Sequence, residues 1–140
     1  MLQRTAEYAL RVAIALARHP GRPSTSGQVA KATRVPPRYL YKVLQALIRA
    51  DLVRSQPGPG GGYTLAVEPD RTTLLEIVAA IEPITRIRSC PVGLKSHSDL
   101  CPLHQQLDQA YAAIEEALGS VTLGEVLRAP SRIRPLLETS

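Results

Sequence analysis

From Thr5 to Ala17 the apolar residues Ala6, Ala9, Leu10, Ala13, Ile14 and Ala17 recur every three or four positions. That spacing predicts a helix with one buried stripe, and His19-Pro20-Gly21-Arg22-Pro23 ends it. Thr25-Ser26-Gly27-Gln28 has the form of a capping box, a hydroxyl and an amide exchanging bonds with two otherwise unpaired backbone N–H groups. A second, short helix is expected there, with Val29 and Ala30 as its apolar contacts, and Thr33-Arg34-Val35-Pro36 breaks it. Pro37 suits the first turn of a third helix, where its missing N–H would be unpaired anyway. In that helix Leu40, Val43, Leu44, Leu47 and Ile48 form the buried stripe. The opposite face presents Arg38, Tyr39, Tyr41, Lys42, Gln45 and Arg49.

The period then changes to two. Leu52-Val53-Arg54-Ser55 and Tyr63-Thr64-Leu65-Ala66-Val67 alternate like strands, joined by Gln56-Pro57-Gly58-Pro59-Gly60-Gly61-Gly62. This predicts a β-hairpin with a glycine-rich tip, a wing. A nucleotide loop is the weaker reading of the same glycines, because no Lys-Ser/Thr follows and no helix starts there. Further on, Leu103, Leu107, Ala110, Tyr111, Ile114, Ala117 and Leu118 step by three or four. A single small subunit would struggle to cover that stripe, so it reads as a dimerisation helix, the alternative being a core helix within one subunit. The expected fold class is mainly α with a small β-hairpin wing. A winged helix-turn-helix domain occupies 1–70, a linking helix and cysteine loop 71–102, and a dimerisation helix and C-terminal segment 103–140.

Charge changes the picture by suggesting a partner. Seventeen Lys and Arg against twelve Asp and Glu leave a net +5, which permits a polyanionic ligand. No run of apolar residues is long enough to span a membrane and no basic-plus-apolar leader opens the chain, so a soluble, cytoplasmic protein with no membrane partner is expected. A short helix, a tight turn and a second helix with a basic, aromatic and amide-bearing face make the shape that enters a DNA major groove. Arg and Lys pair with guanine or phosphate, Gln with adenine, and Tyr with phosphate or a thymine methyl. The candidate DNA-binding residues are Thr25 and Arg34, then Arg38, Tyr39, Tyr41, Lys42 and Gln45, then Arg54, Gly60, Gly61 and Gly62 of the wing. The plainer reading is that Arg38, Lys42 and Arg49 only solvate a helix; a wing directly after that helix lowers its weight. The chain offers no convincing general base or nucleophile constellation, and no enzyme is expected.

Both cysteines lie in S-C-P-V-G-L-K-S-H-S-D-L-C-P-L-H, where Cys90 and Cys101 are accompanied by His97 and His104. Spacing alone leaves three readings open: a metal or redox site, a Cys90–Cys101 disulfide, or two cysteines that pack. No C-x-x-C pair fixes a zinc knuckle, and a reducing cytoplasm counts against a structural disulfide.

Several runs together carry a family resemblance. E-Y-A-L-R from Glu7 to Arg11, Y-L-Y-K-V-L-Q-A-L from Tyr39 to Leu47 and G-P-G-G-G-Y-T-L from Gly58 to Leu65 resemble the IscR/NsrR family of winged-helix regulators, the Rrf-two type. T-L-L-E-I-V-A-A-I-E from Thr73 to Glu82, the cysteine loop and T-L-G-E-V-L from Thr122 to Leu127 extend the resemblance over nearly the whole chain. It implies a homodimeric regulator, a repressor, on a palindromic double-stranded DNA operator. It also implies a loop that often carries an iron–sulfur cluster reporting on iron, redox state or nitric oxide.

Carried over position by position, Cys90 and Cys101 match the first and last loop cysteines, and Cys101-Pro102-Leu103-His104 matches an occasional Cys-x-x-His. The middle cysteine is missing; His97 lies near its place, although Ser96 fits the usual count better. Glu7 stands where some members supply an acidic ligand from the partner subunit, and Arg11 where one branch has a ligating histidine. Two thiolates completed by Glu7, His104 or His97 imply a [2Fe–2S] rather than a [4Fe–4S] cluster, because one iron of the former tolerates two non-thiolate ligands. The plainer roles are a salt bridge to Arg11 for Glu7, a helix start for His104 and a solvated loop for His97. Pro57 replaces the arginine that often precedes the wing glycines. Two alternatives remain: a metal-free regulator with Cys90 and Cys101 as a thiol–disulfide switch, and an adaptor that binds protein instead of DNA.

Overall fold

A computed structural model of the chain describes residues 2–138. Its elements run α1 (Arg4–Ala17), α2 (Ser26–Thr33), α3 (Pro37–Arg49), β1 (Val53–Gln56), β2 (Gly62–Leu65), a 3-10 turn (Pro69–Arg71), α4 (Leu74–Ile81), α5 (Pro102–Gly119) and α6 (Leu123–Arg128). Mainly helical with one antiparallel hairpin, this is the winged helix-turn-helix class the sequence predicts.

The local rules act where expected. The Thr25 hydroxyl accepts the Gln28 N–H at 3.2 Å while the Gln28 side chain accepts the Thr25 N–H at 2.9 Å, closing the capping box of α2. At the other end Arg34 takes a left-handed conformation and its N–H donates to the Ala30 carbonyl at 2.8 Å. Buried Thr33 completes the turn, donating to the Val29 carbonyl at 2.7 Å and accepting the Val35 N–H at 3.3 Å. The turn therefore sets the angle at which α3 leaves. Pro37 opens α3, whose Leu40, Val43, Leu44 and Leu47 are buried against Val12, Ala13 and Leu16 of α1 in one core. Ile77 of α4 and Leu123 of α6 join that same core.

The hairpin pairs Val53 with Leu65, Arg54 with Thr64, Ser55 with Tyr63 and Gln56 with Gly62. The strands thus lie one residue later than predicted in β1 and run from Gly62 to Leu65 in β2, leaving Ala66 and Val67 outside. The Ala66 N–H still donates to the Leu52 carbonyl at 2.9 Å, so the register continues one bond beyond the ladder. On the far edge of β2, Ser24 and Tyr63 exchange backbone bonds at 3.0 and 2.8 Å. A Cβ on Gly62 would fall 2.4 Å from the Ser24 carbonyl oxygen, and one on Gly61 would fall 2.1 Å from that of Gln56. Both glycines are needed for chain packing at the wing base.

None of the residues of α5 is buried, and Leu103 and Leu107 remain 63% and 40% exposed. Among the described residues no helix is long and apolar enough to cross a membrane.

Candidate nucleic-acid interface and cysteine loop

On α3 the side chains of Arg38, Tyr41 and Lys42 are exposed and Gln45 half-buried, with Tyr41 at 66%. Tyr39 departs from the outer face. Its half-buried ring lies 5.8 Å from that of buried Tyr8, tilted by 56°. The Arg38 guanidinium sits 4.9 Å over the Tyr39 ring, its Nη2 3.4 Å from the tyrosine hydroxyl.

The flanking candidates fall into different environments. Thr25 is exposed at the α2 N-terminus, and Arg54 is exposed on β1 opposite Thr64. Arg34 pairs with Glu138 of the C-terminal segment at 3.5 Å, both side chains solvated. Of the three wing glycines, Gly61 spends its N–H on the Gly58 carbonyl at 3.0 Å and Gly62 packs on Ser24. Gly60, with φ +74° and nothing within 4 Å of a built Cβ, is the one surrounded by open space. A role in phosphate approach fits Gly60 better than its two neighbours.

The cysteine loop occupies the irregular connection between α4 and α5. Its entry is fixed by Asp108 of α5, which accepts Arg86 Nε at 2.7 Å, Arg86 Nη2 at 2.8 Å and the Ile87 N–H at 2.8 Å. The guanidinium bonds hold the Asp108 carboxyl down at about 2. Cys90 follows in a turn where Gly93 has φ +77°. The N–H of Leu94 above all, with those of Val92 and Gly93, keeps the Cys90 thiol below its ordinary value against partial desolvation. At the loop exit Cys101 caps α5, its sulfur 3.4 Å from His104 Nδ1. Both cysteines are free.

The other ligand candidates stand apart. Glu7 is held by Arg11 on the next turn of α1, with contacts of 2.7 and 2.9 Å, the salt bridge its spacing allows. Arg11 also donates to the Thr33 carbonyl at 3.1 Å and lies 5.1 Å over the Tyr8 ring. His97 has a buried Nδ1 without a hydrogen-bond partner among the described residues. Among the described residues no three His, Cys, Asp or Glu side chains are grouped to hold a metal ion. Within one chain the structure joins Cys101 to His104 and leaves Cys90, His97 and Glu7 outside any such group. The donor set nonetheless fits a two-thiolate cluster in kind: two free thiols, one beside an imidazole.

Sequence reasoning missed Tyr8, Arg86 and Asp108. Tyr8 sits beside the helical stripe of α1 and carried a usable signal. Arg86 and Asp108 lie 22 residues apart without periodicity, and nothing local joins them.

Known proteins place this geometry. The Rrf2 family, described as an iron-dependent transcriptional regulator, matches residues 2–129. BadM of Rhodopseudomonas palustris is 34% identical over 127 residues, covering 91% of this chain and 81% of that one. The HTH-type transcriptional regulator NsrR of Bacillus subtilis is 30% identical over 136 residues, covering 94% and 93%. The solved structure of IscR from T. potens superposes with a TM-score of 0.77 at 25% identity, over 94% of this chain and 88% of that one. The chain belongs to the Rrf2 family and is a helix-turn-helix transcriptional regulator.

Proposed function

We propose that this regulator binds a palindromic double-stranded DNA operator as a homodimer, acts as a repressor, and reads iron, redox state or nitric oxide through the Cys90–Cys101 loop. The observation that carries the DNA side is the exposed face of α3, where Arg38, Tyr41 and Lys42 stand clear of the core just before the wing. The unburied stripe of α5 supports a dimer, since Leu103 and Leu107 lack cover among the described residues. Two α3 helices on a two-fold axis then address two half-sites.

For the sensor, Cys90 and Cys101 would hold a [2Fe–2S] cluster, with His104 and the partner subunit's Glu7 ahead of His97 as the remaining ligands. When bound, such a group supplies a redox-active centre whose iron also reacts with small gases. Support comes from the free thiols, the Cys101–His104 contact and the iron-dependent description of the family. A ligating Glu7 must leave Arg11. A second reading, a metal-free thiol–disulfide switch, is favoured by one observation: backbone N–H groups around Cys90 stabilise its thiolate, the reactive form.

Salt-dependent binding of the full chain to upstream DNA fragments, with the assembly state followed by sedimentation, tests the DNA-binding reading. A dimer whose affinity falls steeply with salt is expected; absence of any salt-dependent DNA binding would favour the adaptor role.

A further inference from the structure

We infer that Arg38 specifies a guanine in each operator half-site, and that Tyr39, backed by Tyr8, is the positioning residue that presents its guanidinium. The inference rests on the DNA-binding reading above and names the base and the residue that reads it.

Arg38 is the second residue of α3, at the N-terminal end of the recognition helix, from which base contacts are made. A solvent-exposed arginine ordinarily samples many rotamers and must lose that freedom on binding. Here the freedom is already reduced. The Tyr39 ring lies under the guanidinium at 4.9 Å, and the Tyr39 hydroxyl takes one N–H at 3.4 Å. Tyr39 is itself held, because its ring packs 5.8 Å from Tyr8, which is 8% exposed and anchored in the core.

The chemistry then favours a base over a phosphate. A phosphate accepts any cation, and a flexible lysine suffices for it. A planar fork braced against a ring matches the paired acceptors O6 and N7 of guanine, and one N–H spent on tyrosine leaves enough donors for both. Tyr41 and Lys42 share the exposed face, yet among the described residues neither has a side-chain hydrogen bond or ion pair to hold it. Arg38 is therefore the reader built in advance, and Tyr39 acts through it.

The test is selection by the full chain from a duplex library randomised over about 30 base pairs, enough for two half-sites a helical turn apart. Wild type, Arg38→Lys, Tyr39→Phe and Tyr39→Leu are compared, with melting curves to establish that each is folded. Wild type should enrich a motif with one invariant G·C pair per half-site, and 7-deazaguanine there should weaken binding about 5- to 150-fold. Arg38→Lys should keep the rest of the motif and lose that guanine. Tyr39→Leu should do the same, while Tyr39→Phe keeps the ring and much of the preference. A folded Tyr39→Leu chain that still selects the guanine overturns the role of Tyr39, and Tyr39→Gln takes its place in that comparison if the leucine variant does not fold. An unchanged guanine preference in Arg38→Lys overturns the assignment of Arg38. A uniform loss across all sequences with a flatter salt dependence also overturns it, making Arg38 a phosphate contact. A wild-type chain that enriches no sequence defeats the DNA-binding reading itself.

Discussion

Asp108 of α5 accepts both arms of the Arg86 guanidinium, at 2.7 and 2.8 Å, and the Ile87 N–H besides. One carboxylate thereby pins the strand of chain that enters the cysteine loop to the helix proposed for dimerisation. Its folded-state value of about 2 lies below the ordinary 3.8, so this contact stabilises the fold above about pH 4 and is lost as pH falls toward 2. Asp108→Asn should weaken the native state at neutral pH and reduce its loss between those limits, read from thermal midpoints at pH 7 and pH 3. A variant with the wild-type acid profile would contradict this role.

Glu7 and Arg11 form an exposed i,i+4 pair, with Glu7 at 51% side-chain exposure. Such pairs are worth at most about 0.5 kcal/mol, so Glu7→Gln should melt within a few degrees of wild type. If Glu7 also ligates iron, the same variant should shift the visible and EPR spectra of the holoprotein. A changed spectrum at unchanged stability separates the two roles; an identical spectrum removes Glu7 from the ligand set.

Gly62 and Gly60 make a contrasting pair in the wing. Gly62→Ala places a methyl 2.4 Å from the Ser24 carbonyl oxygen, whereas Gly60→Ala meets nothing within 4 Å. Each also carries a positive φ, +145° and +74°. Gly62→Ala should destabilise by more than about 1 kcal/mol and exceed Gly60→Ala, measured by urea denaturation. Equal effects would show that backbone strain, not the approach to Ser24, governs the position.

Leu44 is fully buried between α3 and α1. Leu44→Ala should cost about 2–5 kcal/mol. Leu107, 40% exposed on α5, belongs to the stripe proposed for the dimer. Leu107→Glu should leave the monomer fold intact and shift sedimentation toward the monomer, with weaker operator binding. A Leu107→Glu chain that remains dimeric removes this stripe from the interface.

Much of the fold was legible because local rules and tertiary packing agree. The capping box at Thr25, Pro37 at the start of α3 and the period of Leu40 to Leu47 each predict what the core then uses. Strand ends were less legible, since the glycine-rich tip has no alternation to mark where pairing of Gln56 with Gly62 begins, and the bridge from Ser24 to Tyr63 comes from far off in sequence. Helical phase alone puts Tyr39 on the outer face; its ring packs instead against Tyr8 on a neighbouring helix. The loop was legible as a chemical inventory and not as an arrangement. Cys101 and His104 meet because they are one helical turn apart, while Cys90, His97 and Glu7 depend on an irregular loop and on α1.

The central claim is tested most directly by an anaerobic visible and EPR spectrum of fresh protein, with iron and sulfide counts and operator affinity before and after cluster loss. Brown protein with about two irons and two sulfides per chain is expected, with an affinity that changes when they are removed. Colourless, iron-free protein that binds operator equally well with and without reconstitution would contradict it.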